Sequence, residues 1–125
     1  MAKFINDVVL DAQLEKVATG THIHLCSSQP TTKTEADTTY QLASSTLTTG
    51  DGNGDYTIAN GDVNGRKITI SQQTGITVDN SGTGTHLAIV DATDVLLVTT
   101  ITSQAVTAAT TITFNAFDYS TSDPT

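Results

Sequence analysis

Between Asp51 and Asp62 the chain sets oxygen-bearing side chains at alternate positions. Asp51, Asn53, Asp55, Thr57 and Asp62 occupy positions 1, 3, 5, 7 and 12 of a twelve-residue window. That is the spacing by which a calcium loop turns alternate oxygens onto one hard cation, and Ile58 supplies the apolar residue at position 8. Two features oppose the reading. Position 6 is Tyr56, where the sharp turn needs Gly, and Asp62 is shorter than the bidentate Glu that normally closes such a loop. The flanks also read as strands rather than helices. The competing expectation is a solvated hairpin rich in Asp and Gly, with no cofactor.

A second group is His22, His24 and Cys26, which share one face if the segment is extended. A rise of about 3.3 Å per residue separates His22 from Cys26 by roughly 13 Å. A tetrahedral ion with bonds of about 2.0–2.3 Å cannot collect all three. The set that geometry allows is His22 and His24 with His86 from another strand. The bland alternative is a half-buried face on which Cys26 is a small apolar residue. Nucleophilic chemistry has less support. The chain has no Gly-x-Ser-x-Gly elbow, and Gly82-Thr-Gly-Thr-His lacks the third glycine of a dinucleotide loop. The expectation is a protein that is not an enzyme.

The elements that must hold these groups are mostly strands. Thr supplies 26 of the 125 residues, and no Lys or Arg follows Lys67. Thr is β-branched and suits a pleated surface, with its methyl on the sheet and its hydroxyl toward solvent. The one helix-like stretch is Phe4 to Ala18, where Ile5, Val8, Val9 and Ala12 form one row and Leu10, Leu14 and Val17 another. Asn6 or Asp7 can cap it, and Gly20 can end it. Strands are predicted at His22–Ser28, Gln41–Leu47, Tyr56–Ala59, Arg66–Ser71, Gly75–Val78, Thr85–Val90, Val95–Thr102 and Thr110–Tyr119. One helical turn is placed at Thr34–Asp37. Ile68, Ile70, Ile76 and Val78 are assigned inward, and Ile112, Phe114 and Ala116 alternate against Thr111, Thr113 and Asn115. Asn60-Gly61 and Asn64-Gly65 mark tight turns. Short strands at this spacing predict a mostly β chain, an antiparallel sandwich or barrel with one short N-terminal helix. The expected domain is single, 1–125, with 1–20 as its helical segment and 117–125 as a C-terminal tail.

A net charge of −8 argues against nucleic acid, since nothing would neutralise a row of phosphates. It argues equally against an anionic membrane surface. No apolar run approaches the ~20 residues that span a bilayer, and acids interrupt the N-terminal apolar stretch, unlike a secretory signal. Cys26 is the only cysteine, so no internal disulfide can form.

Cys26-Ser-Ser-Gln-Pro-Thr-Thr, Asn60-Gly-Asp-Val-Asn-Gly-Arg-Lys-Ile-Thr-Ile, Ser81-Gly-Thr-Gly-Thr-His-Leu-Ala and Thr100-Ile-Thr-Ser-Gln-Ala-Val-Thr resemble segments of small structural proteins of tailed bacteriophages. The opening Met-Ala-Lys and Asp-Val-Val-Leu-Asp-Ala, and the closing Phe114-Asn-Ala-Phe-Asp and Asp123-Pro-Thr, are similar to the ends of the same group. Gly50–Asp55 departs from it, as an added acidic excursion. The resemblance implies a virion component made in the bacterial host cytoplasm and carried on the capsid surface. There it would be a decoration or cement protein, with the major capsid protein and neighbouring copies of itself as partners. The alternatives are a tail or host-adhesion component and a small ligand-binding β-domain. Met1 to Val17 and Phe117 to Thr125 are the expected contact elements.

Overall fold

The computed structural model describes residues 5–121. The chain is mostly β, with three antiparallel sheets and one short N-terminal helix. Its elements are α1 (Asp7–Val17), β1 (His22–Cys26), a π-helical turn (Glu35–Thr39), β2 (Gln41–Thr46), β3 (Tyr56–Asn60), β4 (Arg66–Ile70), β5 (Gln73–Thr77), β6 (Gly82–Val90), β7 (Val95–Val106), β8 (Thr111–Phe114) and β9 (Phe117–Thr121). They divide into two compact units. The first comprises the described parts of Met1–Thr19, Thr48–Gln72 and Asn115–Thr125; the second comprises Gly20–Leu47 and Gln73–Phe114.

In the first unit α1 starts where Asn6 accepts a hydrogen bond from the Val8 N–H at 2.9 Å, satisfying one of the orphan donors of the first turn. Of the two apolar rows, Leu10, Leu14 and Val17 are buried. Val8 and Val9 face outward, 73% and 56% exposed. The helix packs on β4 and β3, in a sheet of order β3-β4-β9. Ile68 and Ile70, the alternate residues of β4, are fully buried, as is Tyr56. Arg66 clamps Asp11 of α1 with Nε–Oδ1 at 2.7 Å and Nη2–Oδ2 at 3.3 Å, fixing the helix across the strand. Phe117–Thr121, expected as part of a tail, is a strand paired with β4 from Ile70↔Phe117 to Arg66↔Thr121. The rest of that tail and the first four residues of the N-terminal segment lie outside the described residues.

The second unit is built on a sheet of order β2-β1-β6-β7, with the β5-β8 pair beside it. Ile23, Leu25, Leu87 and Ile89 share one face of that sheet and are buried. Cys26, Ala88 and Val90 lie on the other, where Ala36 of the π turn seals them. Burial on both faces gives β6 its run of buried residues from Leu87 to Val90. The outer edge of β2 is occupied by the Val78–Asn80 segment: Ala43 bridges Val78, and the Leu42 carbonyl accepts from Asp79 and Asn80. β7 is an edge without charged residues. Register shifts opposite Gly84–His86 and Ile89–Val90 place extra residues on it, and such bulges discourage edge-to-edge pairing.

The strand expected just before that tail also differs. Thr110–Tyr119 is not a single strand: β8 pairs with β5, β9 pairs with β4, and Ala116 between them is exposed.

Candidate functional site

The densest group of titratable side chains in the second unit lies over the His22–Cys26 strand. Strand alternation puts His22, His24 and Cys26 on one face, as the spacing implies, and the ladder sets Ser44 opposite His24. The π turn then delivers a carboxylate. Its first residues are tied down by Glu35, whose Oε1 accepts from the Thr31 N–H at 2.9 Å and the Thr31 hydroxyl at 2.8 Å. Ala36 is fully buried against Cys26, Ala88 and Val90, which brings the next residue, Asp37, over His24. His24 Nε2 and Asp37 Oδ1 are 2.9 Å apart. Lys33, one turn earlier, pairs with the other Asp37 oxygen. Together with His22, Gln41, Ser44 and Asp79 these residues line an open cleft of about 370 Å³.

The His24–Asp37 contact is short, yet it is not aligned as a hydrogen bond. Both ring nitrogens of His24 and Asp37 Oδ1 are buried with no hydrogen-bond partner. Burial lowers the His24 pKa below 6.5, and Asp37 opposes that shift only in part. The ring of His22 stacks on that of His24 with centroids 6.0 Å apart. Serine, imidazole and carboxylate around one cleft have the composition of an acyl-transfer relay. The geometry does not assemble one, because Ser44 shares no hydrogen bond with His24. What the cluster can do directly is take up a proton.

Because the folded chain holds its His24 pKa below the unfolded value, the unfolded chain binds more protons just below pH 6.5. The stability associated with neutral His24 is therefore complete above that pH and is lost as the pH falls beneath it. The melting temperature is expected to drop as the pH falls below about 6.5. A His24→Gln variant should show a flatter profile across that window; parallel profiles in scanning calorimetry would sink this account.

Cys26 behaves as a small apolar residue. It is fully buried, burial pushes its pKa up to about 12, and its Sγ approaches the Ala36 carbonyl at 3.9 Å. His86 lies level with Cys26 in the ladder, and its Nδ1 is 2.8 Å from Thr85 Oγ1. The set of His22, His24 and His86 is not drawn together. Among the described residues no group of three or more His, Cys, Asp or Glu side chains could hold a metal ion.

In the first unit the three carboxylates of the calcium-spaced window each meet a protein group through at least one oxygen. Asp51 Oδ1 accepts from the Ile58 N–H at 2.8 Å. Asp55 accepts from the Thr48 N–H at 2.6 Å and the Ser71 hydroxyl at 2.8 Å. Asn53 donates to the Thr49 carbonyl at 2.8 Å, Thr57 is exposed on β3, and Asp62 pairs with Lys67 at 2.7 Å. The parallel bridge Asp51↔Tyr56 folds the segment against the edge of β3. These carboxylates thus serve as local staples of the loop.

The chain matches no family model, no curated protein and no solved structure. Asp37 and Lys33, which complete the His24 cluster, were not singled out by the sequence. Their i,i+4 spacing of opposite charges before Tyr40 is the signal that marks them.

Proposed function

We propose that this chain is a structural protein of a tailed-phage virion, acting as a decoration protein that binds across junctions between major capsid subunits. The phage-like segments support this reading, and they are spread through both units. Cys26–Thr32 leaves β1, Asn60–Ile70 spans the β3-β4 turn and β4, Ser81–Ala88 enters β6 and Thr100–Thr107 ends β7. The observation that carries it is the disposition of charge. Of the five basic residues, Lys33, Arg66 and Lys67 are held in ion pairs with Asp37, Asp11, Asp62 and Asp118, so the acidic excess and the Thr hydroxyls dominate the outward surface. Such a surface suits a passive protein partner of complementary charge.

The mechanism is mass action. Each copy that binds the assembled shell and not its dissociated subunits favours assembly, and the shell repeats the site many times. In α1 the outward pair Val8 and Val9 is the contact proposed for the capsid. Quantitative mass spectrometry of particles is expected to count copies in the hundreds; a count near three, six or twelve would move the protein to the tail. A Val8→Asp, Val9→Asp chain should fold normally and bind depleted capsids at least about tenfold more weakly. Undiminished binding would remove α1 from the contact.

A further inference from the structure

The cleft over β1 plays no part in the virion reading, yet its walls are built with care and its charge is unbalanced. We propose that it is a receptor for a guanidinium group, the chemistry shared by free arginine and by an arginine side chain on a partner protein. This inference does not depend on the virion reading.

The chain fixes both walls itself. On one side the Asp79 and Asn80 N–H groups donate to the Leu42 carbonyl at 2.7 and 3.1 Å. The Asn80 side-chain amide donates to the Gln41 carbonyl at 3.0 Å, and Gln41 Nε2 donates to Asp79 Oδ2 at 2.8 Å. Asp79 is thereby held at an exposed rim with only a neutral donor on that oxygen. On the other side the π turn Glu35–Thr39 presents Asp37. Such turns are rare and recur at functional sites.

The floor supplies the second observation. His24 lines the cleft at 6% exposure, and neither its ring nitrogens nor Asp37 Oδ1 has a hydrogen-bond partner. Burial keeps the ring neutral at neutral pH, with one N–H donor and one bare nitrogen. The unmet groups are therefore two acceptors and one donor, which suits a ligand that donates more than it accepts. The lining also carries two carboxylates, Asp37 and Asp79, against the one ammonium of Lys33. An anion would meet that surplus as repulsion, and a cation completes it. The Asp37 and Lys33 side chains keep 29% and 30% of their surface exposed, so an incoming cation can reach the carboxylate beside Lys33.

Shape separates guanidinium from ammonium. The His22 and His24 rings are parallel within 4°, with centroids 6.0 Å apart, and His22 is only partly buried. A guanidinium plane stacks on such a ring while its forked N–H groups reach separate oxygens; an ammonium is a point charge and does neither. The open volume of about 370 Å³ leaves room for the alkyl stem.

The experiment titrates the full chain with N-acetyl-arginine amide and follows the histidine ring protons by NMR. Saturable shifts are expected at His22 and His24 and not at His86, several-fold weaker with N-acetyl-lysine amide and absent with the uncharged citrulline analogue. Tighter binding of the capped residue than of free arginine assigns the site to a partner's side chain; the reverse order assigns it to the free amino acid. An Asp79→Asn chain, checked by circular dichroism, should bind several-fold more weakly, whereas Asp94→Asn, which removes the same charge outside the cleft, should bind as the wild type does. No saturable shift at His22 and His24, equal binding of the lysine or citrulline compound, or equal losses in the two variants would each overturn the proposal.

Discussion

Replacing Ile23 with alanine is expected to destabilise the protein by about 2–5 kcal/mol, because the removed methylenes leave a cavity as well as lost transfer energy. Ile23 is fully buried in β1, between Ser45 of β2 and Ile89 of β6. Neighbours held in two ladders cannot collapse into the space without giving up strand register. Denaturant titration followed by circular dichroism measures the loss. A cost below about 1 kcal/mol would mean that this face of the sheet is loosely packed. Ile23→Val should fall near the low end, about 0.5–1.5 kcal/mol.

The second large effect is expected at Asp55, outside any apolar core. Its carboxylate receives the Thr48 N–H and the Ser71 hydroxyl, one on each oxygen, and so ties the segment before the acidic loop to the residue that follows β4. Hydrogen bonds to a charged group contribute about 1.5–3 kcal/mol, and Asp55→Ala removes both acceptors at once. A loss of roughly 2–3 kcal/mol is expected, with Asp55→Asn intermediate because its amide keeps one accepting oxygen. The same staples make a calcium prediction. Millimolar calcium should leave the wild-type melting temperature where it was and produce no binding heat in calorimetry. A calcium-dependent rise in stability that Asp51→Ala abolished would instead support the metal reading of Asp51, Asn53, Asp55, Thr57 and Asp62.

The comparison of sequence with structure divides along physical lines. Local signals carried far. The Asn6 cap, the buried Leu10–Leu14–Val17 row and the alternation of Ile68 with Ile70 depend only on neighbours in the chain, and each appears as the spacing implies. The mostly β antiparallel character follows from the same signals. What depended on pairing was harder to see. Between Thr111 and Thr121 the only local sign of a break is a change of phase, from Ile112 and Phe114 at even positions to Phe117 and Tyr119 at odd ones, and Asn115 and Ala116 are neither Gly nor Pro. The break there comes from the choice of partners, β5 for one half and β4 for the other. Likewise β7 continues past Thr102 because Gly82–Gly84 offers it a ladder, although Ser103, Gln104 and Ala105 have little strand preference of their own. The His24 cluster was half legible. Alternation assigned His22, His24 and Cys26 to one face, but Asp37 reaches them only because Ala36 is buried beneath the π turn.

The order in which the chain visits its two units also sets a timetable. The first unit is begun with α1, resumed with β3 and β4, and completed only by β9, which emerges after every strand of the second unit. On a ribosome, the second unit can close its ladders while β4 still lacks one neighbour. The β4-β9 pairing is thus a late event, reached after the longest wait and across a large loop, and pairings of that kind slow folding more than they weaken the finished protein. Until then the side of β4 destined for β9 is an unfilled strand edge on a growing chain, the state in which a protein of this architecture is most open to capture by a chaperone or by another nascent copy.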